Sequence, residues 1–468
     1  MDKVASADIL LIQSPPWDTE MPPLGTAYLS SYLKKFGRNV SLLDLNIALY
    51  QMAGEDSKYL WEQKNYDCWV DTNLFKDTWC KLQDNVLSCF TKALKESGAK
   101  RIGLSVNYAS INFAGEFLKL VTGLHKDLKI IVGGWGCSTS HMRSLFPAGS
   151  VDVFVVGEGE ETLFEVMEVL DGERPEAEVA GAVFSKNPAI EYRPRPPIKD
   201  LDSIPWPTFE EFQLNQYKHR VLPVFTSRGC IGHCSFCNDW YISKPYRHRS
   251  AGHIFEELKY QKERYKIQTF SFKDLLCNGD IDELSRLADL IIESGLGINW
   301  DSQAIPRKEM TYDLLCKLKE CGCGTLIYGI ETFSDNVLKR MRKLFTSEIA
   351  ERVIRDTHKA GIPVMFNIIV GFPGETEEDF QKTYDAIKRN RQYIDRIGAV
   401  SVCLVNAESD LEVVSQNYGL VLSPDHRIRA KQWHTEDNTN TYSIRKKRAE
   451  RIYELISQLG LSYATLTI

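Results

Sequence analysis

The sequence predicts an α/β protein in which a doubly wound parallel sheet is followed by a partial (βα)₆ barrel and a small, mostly helical C-terminal region. Two series of short apolar runs alternate with amphipathic helical patterns, and a proline-rich stretch separates the two series. The 468 residues leave room for two to four domains at roughly 100–200 residues each. We therefore predict a first domain at 1–185, a linker at 186–220, a barrel at 221–405 and a C-terminal region at 406–468.

The first domain begins with an apolar run and an amphipathic helix. Ile9–Ile12 predicts a buried parallel strand, and the apolar spacing from Leu24 to Phe36 predicts a helix after it. Further strands are predicted at Asn39–Leu43, Ile102–Val106, Ile130–Val132 and Val151–Val156. Because such a sheet binds ligands beyond the carboxyl ends of its strands, the glycines that follow these strands are candidate binding positions.

Residues 46–100 interrupt the alternation with a stretch that is compatible with helices and rich in aromatic residues. We expect an inserted helical layer that contains Trp61, Trp69 and Trp79. Such a layer can cover a bound ligand, but aromatic side chains more often pack into a core, which is the favoured alternative.

Six prolines between Pro188 and Pro207 mark the linker, because proline continues neither a helix nor a strand. The second series then predicts a barrel with its chemistry at the C-terminal ends of the strands. The predicted barrel strands are Val221–Thr226, Thr269–Lys273, Gly297–Asp301, Thr325–Gly329, Val364–Gly371 and Arg396–Val405. A final amphipathic helix is predicted at Ser443–Leu459.

Composition argues against several classes of protein. Lys and Arg number 57 against 63 Asp and Glu, and the resulting charge of −6 argues against nucleic acid as a partner, since phosphate binding needs clustered positive charge. No apolar run approaches the roughly 20 residues that span a bilayer, and the N-terminus lacks the apolar core of a signal peptide. We expect a cytoplasmic protein that acts on a small molecule.

Three of the 12 cysteines lie within eight residues, directly after the first predicted barrel strand. Cys230, Cys234 and Cys237 have the spacing C-x₃-C-x₂-C, which in a reducing compartment indicates a metal site. Thiolates hold iron–sulfur clusters, and three of them leave one iron of a four-iron cluster open to a small molecule. The alternative is zinc, with a fourth ligand from one of the nearby histidines, His233, His248 and His253.

This segment resembles the signature of the radical S-adenosylmethionine (SAM) superfamily, whose three cysteines follow the first strand of a (βα)₆ barrel. The resemblance implies that the three cysteines bind a [4Fe–4S] cluster whose open iron chelates SAM. It further implies that the reduced cluster cleaves SAM to methionine and a 5′-deoxyadenosyl radical, with electrons from an external donor of the flavodoxin or ferredoxin type.

The resemblance continues along the barrel strands. Gly329–Thr332 matches the end of the family's fourth strand, where Glu331 would contact SAM. Asn367–Thr376 matches the fifth-strand motif, where Gly371 and Pro373 would lie beside the adenine.

Other residues near the predicted strand ends are candidates with an equally simple structural explanation. Phe236, between the second and third cysteines, is a further expected SAM contact, and Ser302 and Arg307 occupy positions that often bind the SAM carboxylate. Ser302 and Arg307 can equally be surface residues, and Asp274 faces either the substrate or the dipole of the following helix. The dispersed cysteines lack cluster spacing and are expected to be small buried hydrophobes, namely Cys277, Cys321, Cys323 and Cys403.

The N-terminal domain resembles the cobalamin-binding, Rossmann-like domain that precedes the barrel in one radical SAM subclass. The matching segments are Pro22–Leu29, Leu42–Asp44, Gly133–Gly134 and Gly157–Glu160. The resemblance implies cobalamin contacts from Gly25, Ser105, Gly133, Gly134, Trp135, Gly157 and Glu158.

Three departures from the family pattern bear on this expectation. The first 130 residues contain no D-x-H-x-x-G motif, so a histidine ligand to cobalt is not indicated. Trp135 follows the glycine pair where relatives usually have proline, which would change the cavity beside the corrin. Asn406–Leu411 lacks the Pro-Gly-Thr pattern that helps to frame the substrate in relatives.

The resemblance as a whole implies a radical SAM methyltransferase. It would use a [4Fe–4S] cluster, SAM and cobalamin to methylate an unactivated carbon or phosphorus centre in a small-molecule or natural-product substrate. The alternatives are radical cyclisation, rearrangement or dehydration without methyl transfer, which the changed loop at Trp135 favours, and a non-catalytic iron–sulfur or cobalamin sensor.

Overall fold

The structure, a computed structural model, describes residues 6–239, 243–424 and 426–467. The chain divides into two compact units, Met1–Pro223 and Val224–Ile468. The first five residues, on which the expectation about a signal peptide partly rests, lie outside the described residues. No helix in the described ranges is both long and apolar enough to cross a membrane.

The first unit contains a six-stranded sheet. Its strands are β1 Ile9–Gln13, β2 Val40–Asp44, β3 Arg101–Ser105, β4 Lys129–Gly133, β5 Val153–Val155 and β6 Ala182–Phe184. They lie in the order β2-β1-β3-β4-β5-β6. The first five strands are parallel, as the sequence predicts, and β6 is an additional antiparallel edge strand. The strand order reverses at β1, the kind of position at which doubly wound sheets bind ligands.

A helical layer covers each face of this sheet, because successive side chains of a strand point to opposite faces. Odd-numbered apolar residues of β1 share a core cluster with the helices Leu24–Lys35 and Gly159–Asp171. Even-numbered residues of β1 share a second cluster with the helices Thr72–Ser97 and Ile111–Leu124.

Residues 46–100 form the helical layer that the sequence predicts, and most of their aromatic side chains belong to the core or pack against it. Trp69 is buried, its ring centroid lies 5.5 Å from that of Trp61, and its indole donates a hydrogen bond to Leu60 O at 2.7 Å. The indole of Trp61 donates to Asn46 at 2.7 Å. These contacts favour packing against the sheet over the covering of a ligand. The helices of this layer and its flanks are Leu45–Met52, Glu55–Lys58, Asp67–Val70 and Thr72–Ser97.

Two short antiparallel pairs and a seven-stranded parallel sheet follow. The pairs are β8 Ser227–Arg228 with β9 Arg247–His248, and β15 Leu420–Val421 with β16 His434–Thr435. The sheet contains β7 Val221–Val224, β10 Thr269–Phe272, β11 Asn299–Ala304, β12 Cys323–Glu331, β13 Val364–Val370, β14 Arg396–Val402 and β17 Ser462–Thr467. These seven strands are adjacent in chain order, and the boundary between the two units falls within β7.

Helices connect the barrel strands, and most begin at a Ser, Thr or Asp whose side chain accepts a hydrogen bond from the first turn. Their bounds are Ala251–Tyr265, Ile281–Ser294, Tyr312–Glu320, Asp335–Met341, Ser347–Lys359, Glu377–Arg389 and Tyr442–Gln458. The linker at 186–220 contains only the short turns Leu201–Ser203 and Leu214–Gln216.

The α/β fold class is confirmed, but the sequence did not predict β6 and β17 of the two large sheets or the two short antiparallel pairs. The C-terminal region, expected to be mostly helical, also supplies β17, which pairs in parallel with β14. The segment Ser462–Thr467 mixes polar and apolar residues and lacks the apolar run by which most of the other parallel strands were recognised.

Candidate active site at the cysteine loop

The three cysteines lie on a loop that leaves β8 through a tight turn. Gly229, directly before Cys230, has a φ of +83°, which favours glycine. A Cβ at this position would lie 2.7 Å from Pro245 O. The chain therefore needs Gly229 to pass close to the backbone that follows the loop.

Asp274 fixes the chain just ahead of this loop. Its carboxylate accepts hydrogen bonds from Thr226 N–H at 2.8 Å and Ser227 N–H at 2.9 Å, and also from the Thr226 hydroxyl. Burial raises the pKa of Asp274 to about 7. The carboxylate is buried and already accepts three hydrogen bonds. The structure therefore favours a structural role for Asp274, in which it fixes the start of the loop, over a contact with substrate or with a helix dipole.

The thiols of Cys230 and Cys234 lie on the same side of Gly232. A Cβ on this glycine would lie 3.6 Å from one sulfur and 3.8 Å from the other, and its N–H donates to Cys230 Sγ at 3.3 Å. Burial raises the pKa of both thiols, and the Cys237 thiol bonds to Asp239 instead.

These three residues fit an iron–sulfur cluster by their chemistry. Within the described residues, no three Cys, His, Asp or Glu side chains converge into a metal-binding group, so Cys237 has to turn from Asp239 to join the other two. Three thiols within eight residues of one loop are nevertheless the donor set that a cluster with one open iron requires.

A buried ion pair lies next to the cysteine loop. Lys343 Nζ donates to Gly329 O at 2.8 Å and to Glu331 Oε1 at 3.2 Å, and it lies 5.4 Å from the ring centroid of Phe236. Burial disfavours charge on Lys343, but the Glu331 carboxylate and two cysteine sulfurs outweigh it and raise the pKa of the lysine above its ordinary value. The ammonium group therefore stays charged.

Glu331, the predicted SAM contact, is the last residue of β12 and has a φ of +72°. A non-glycine residue in this region costs about 1–3 kcal/mol and persists only where its neighbours hold it. Here the Thr383 hydroxyl bonds to the Thr332 hydroxyl at 2.8 Å and accepts from Phe333 N–H at 3.0 Å. The strained end of β12 is thus fixed beside the cysteine loop.

Ser302 and Arg307, the candidates for the SAM carboxylate, are both engaged with backbone carbonyls. Ser302 is buried in β11, and its hydroxyl lies 3.4 Å from Phe272 O. The Arg307 guanidinium donates to Asn278 O at 2.9 Å and Gly279 O at 2.7 Å. These bonds account for both side chains without a ligand, but Ser302 is buried and is not the surface residue of the alternative. A SAM contact from either residue stays a prediction.

The turn after β13 is packed by the C-terminal region. Gly371 has a φ of +73°, and a Cβ there would lie 2.7 Å from Arg445 Cδ. Its carbonyl accepts from Asn440 Nδ2 at 2.9 Å, and its N–H donates to the Glu375 carboxylate at 2.6 Å. Gly371 therefore has a packing role, and its place beside an adenine stays a prediction.

A second buried ion pair stabilises the same turn. Arg448 Nη1 lies 2.8 Å from Glu375 Oε2, and both side chains are buried. Burial raises the pKa of Glu375 to about 7, although Arg448 opposes the shift. The Pro373 carbonyl accepts a hydrogen bond from Arg340 Nε at 3.0 Å, so the backbone at this predicted SAM contact already has a partner within the protein.

The histidines proposed as zinc ligands have other partners. His233 Nε2 lies 3.6 Å from Asp410 Oδ2, and His248 Nε2 lies 3.4 Å from Asp280 Oδ2. His253 Nδ1 accepts a hydrogen bond from a neighbouring arginine at 3.0 Å. These contacts disfavour zinc with a histidine as its fourth ligand.

The dispersed cysteines of the barrel are buried, as the sequence predicts. Burial raises the pKa of Cys277 and Cys403 to about 12 and that of Cys321 to about 11, and it also raises the pKa of Cys323. Such thiols stay protonated and act as small hydrophobes.

In the first unit, several predicted cobalamin contacts lie at neighbouring strand ends. Ser105 and Gly133 are the last residues of β3 and β4 and face each other in the sheet. Gly134 has a φ of +95°, and a Cβ there would lie only 2.5 Å from a backbone oxygen. Trp135 follows half-buried, and Gly25 is exposed near the start of the helix after β1.

Gly157 and Glu158 follow β5 at the same edge of the sheet. Gly157 is exposed with a φ of +88°. The Glu158 carboxylate accepts a hydrogen bond from Ile198 N–H at 2.7 Å, so it holds the linker to the start of the helix Gly159–Asp171. A contact between the Glu158 carboxylate and a cofactor would have to compete with its hydrogen bond from Ile198 N–H.

Sequence reasoning missed the buried ion pairs at Lys343 and Arg448. Lys343 ends a run, Lys339–Lys343, in which four of five residues are basic, and the run does not show which of them is buried. Glu375 and Arg448 are separated by more than 70 residues, so no local pattern connects them.

Comparisons with known proteins agree with this geometry. Residues 224–387 match the Radical SAM superfamily model. The uncharacterized methyltransferase PH0819 of Pyrococcus horikoshii is 26% identical over 313 residues, which are 66% of this chain and 68% of that protein. The cytidylyl-2-hydroxyethylphosphonate methyltransferase of Streptomyces wedmorensis is 25% identical over 415 residues, 78% of this chain and 72% of that one.

Two solved structures share the fold across both units. TsrM from Kitasatospora setae, a radical SAM methyltransferase, superimposes with a TM-score of 0.69 at 18% identity over 96% of this chain and 89% of that chain. OxsB, a cobalamin-dependent SAM radical enzyme, gives a TM-score of 0.66 at 20% identity over 88% of this chain, which spans only 55% of OxsB. This chain therefore contains a segment that matches the Radical SAM superfamily, and its two units have the fold found in TsrM and OxsB.

Proposed function

We propose that this chain is a cobalamin-dependent radical SAM methyltransferase that acts on a small molecule or natural product. The observation that carries the proposal is the cysteine loop after the first barrel strand, in a chain that also has the doubly wound sheet. The names of the relatives support methyl transfer, and the neighbours TsrM and OxsB support the use of SAM and cobalamin.

Residues of the barrel would hold the iron–sulfur cluster. Cys230, Cys234 and Cys237 would hold the cluster, and Gly229 and Asp274 shape and brace their loop. When bound, the cluster supplies the electron for SAM cleavage, and the cobalamin supplies the methyl group for the substrate.

The binding of SAM would rest on residues around the end of β12. Glu331 would accept hydrogen bonds from SAM, with Lys343 fixing its carboxylate and Phe236 giving an apolar surface beside the pair. In the first unit, Ser105, Gly133 and Gly134 would allow the corrin to approach the strand ends.

Anaerobic reconstitution with iron and sulfide tests the cluster. We expect Cys230→Ala to lose most of its iron and to form no 5′-deoxyadenosine from SAM under strong reductant, because one of three ligands is gone. Cys80→Ala is the matched control, since this cysteine is exposed on the helix Thr72–Ser97. Equal iron content and SAM cleavage in the two variants would contradict the proposal.

Hydroxocobalamin tests the first unit. Near-stoichiometric retention of corrin absorption after desalting, and S-adenosylhomocysteine among the products with the true substrate, are expected for a methyltransferase. A loaded cluster without retained corrin would favour the second candidate, a radical cyclisation, rearrangement or dehydration driven by SAM alone. That candidate is favoured by two observations, the changed loop at Trp135 and the bond between Glu158 and the linker.

We also infer an external electron donor of the flavodoxin or ferredoxin type and a cytoplasmic location. The net charge of −6 supports a small-molecule substrate over nucleic acid.

A further inference from the structure

Lys343 has a position that its pairing with Glu331 does not fully explain. Its side chain is only 5% exposed, and its ammonium group lies 2.8 Å from Gly329 O and 5.4 Å from the ring of Phe236. Phe236 lies between Cys234 and Cys237. The ammonium group of Lys343 therefore lies next to the cysteine loop itself.

The charges of this pair act unequally on the loop. The ammonium of Lys343 interacts electrostatically with both Cys230 and Cys234, whereas the carboxylate of Glu331 interacts with Cys234. A second carboxylate, that of Asp239, interacts with Cys230, so Lys343 is the one positive charge among these three groups. In a buried site this charge is screened much less than at the surface.

We propose that Lys343 is a positioning residue that makes the cluster easier to reduce, because its buried ammonium stabilises the negative charge that reduction adds at the cysteine loop. The inference rests on the proposed function, since it requires that the three cysteines hold a [4Fe–4S] cluster.

The electron balance is simple. Three thiolates give a [4Fe–4S]²⁺ cluster a net charge of −1, and one electron from an external low-potential donor makes it −2. No bond or proton is exchanged in this step. A fixed cation beside the loop favours the more negative state, since charge near a cluster sets its reduction potential.

The test is a redox titration of reconstituted protein with titanium(III) citrate, followed by the electron paramagnetic resonance signal of the reduced cluster, without SAM or cobalamin. Lys343→Met removes the charge and keeps the aliphatic stem, and Lys343→Arg keeps the charge. Lys339→Met is the matched control, because Lys339 is exposed on the helix Asp335–Met341, which ends just before Lys343.

We expect the midpoint potential of Lys343→Met to become more negative. At a fixed donor potential, the ratio of reduced to oxidised cluster should fall by about tenfold or more. Lys343→Arg and Lys339→Met should stay close to the natural protein. An unchanged or more positive midpoint in Lys343→Met overturns the inference, whatever happens to its affinity for SAM.

A second variant decides the question if Lys343→Met does not load a full cluster. Glu331→Gln removes the offsetting carboxylate and should make the midpoint more positive, and an unchanged or more negative value overturns the inference. If the natural protein itself binds no cluster, the proposed function fails with it. If every variant carries a cluster at one potential, only the role of Lys343 fails.

Discussion

Asp44 makes the stability of the first unit depend on pH. It ends β2 and is buried, and its carboxylate accepts from the Tyr217 hydroxyl at 2.6 Å and from Ile47 N–H at 2.9 Å. Burial raises the pKa of Asp44 from 3.8 to about 6, although these hydrogen bonds oppose the shift. Since the pKa is higher in the folded chain, the folded state binds the proton more tightly. The contribution of the Asp44 carboxyl group to the free energy of unfolding is complete below about pH 4 and is lost as the pH rises through about 6.

We therefore expect Asp44→Asn to remove this dependence. Between pH 4 and pH 7, the free energy of unfolding of the natural protein should fall by about 3 kcal/mol relative to the variant, at about 1.36 kcal/mol for each pKa step. Urea denaturation of the apoprotein, followed by tryptophan fluorescence, measures the difference. A constant difference across this range would rule out the titration of Asp44 as the cause.

Asp274 gives a prediction about the cysteine loop. Asp274→Ala leaves the buried N–H groups of Thr226 and Ser227 without their acceptor, at about 1–3 kcal/mol for each. We expect a lower thermal midpoint and less iron per chain after reconstitution, because the start of the loop loses its brace. Asp274→Asn keeps one acceptor oxygen and should be intermediate. Full iron content in Asp274→Ala would show that the loop forms without the hydrogen bonds to Asp274.

At the scale of an element, the helical layer at 46–100 is tested through Trp69. Trp69→Ala leaves a cavity in the core cluster of the first unit and should destabilise the protein by about 3–5 kcal/mol. Leu74→Ala is the control, since Leu74 is 49% exposed on the helix Thr72–Ser97, and it should cost less than about 0.5 kcal/mol. Chemical denaturation compares them, and similar losses would contradict the core role of the layer.

The turn after β13 is tested by a pair of glycine substitutions. Gly371→Ala introduces a Cβ against Arg445 at a φ of +73° and should lower the thermal midpoint. Gly115→Ala places a methyl group where no atom lies within 4 Å, on the helix Ile111–Leu124, and should stabilise the protein by about 0.4–1 kcal/mol. Differential scanning calorimetry of both variants measures the contrast. A stabilised Gly371→Ala would mean that Arg445 can move away without cost.

The elements that were predictable from the sequence are those with long apolar signals. The parallel strands β1 to β5, β7 and β10 to β14 were each predicted at or close to their observed positions, whereas β6 is a short edge strand and β17 a segment of mixed polarity. The partners of single side chains were not predictable. Arg307 and Glu158 have the right chemistry for a ligand, but each bonds to backbone from a distant part of the chain.

For the whole molecule, the division into two compact units predicts that the proposed cluster and the proposed cobalamin are lost separately. Cys230→Ala should lose iron and still retain corrin. Gly134→Ala forces a Cβ to within 2.5 Å of Val106 O and should retain iron and SAM cleavage with less corrin. Metal analysis and absorption spectra after desalting measure both cofactors in each variant. Joint loss of both in either variant would contradict independent binding.

The pairing of β17 with β14 bears on how this protein can be handled. Five residue pairs join the two strands in parallel from Arg396 to Ser401. Without β17, the N–H and C=O groups along that side of β14 would form an open edge, which invites association with the strands of other molecules. A shortened chain that ends before Ser462 should therefore precipitate more readily, and an affinity tag is better placed ahead of β1 than directly after β17.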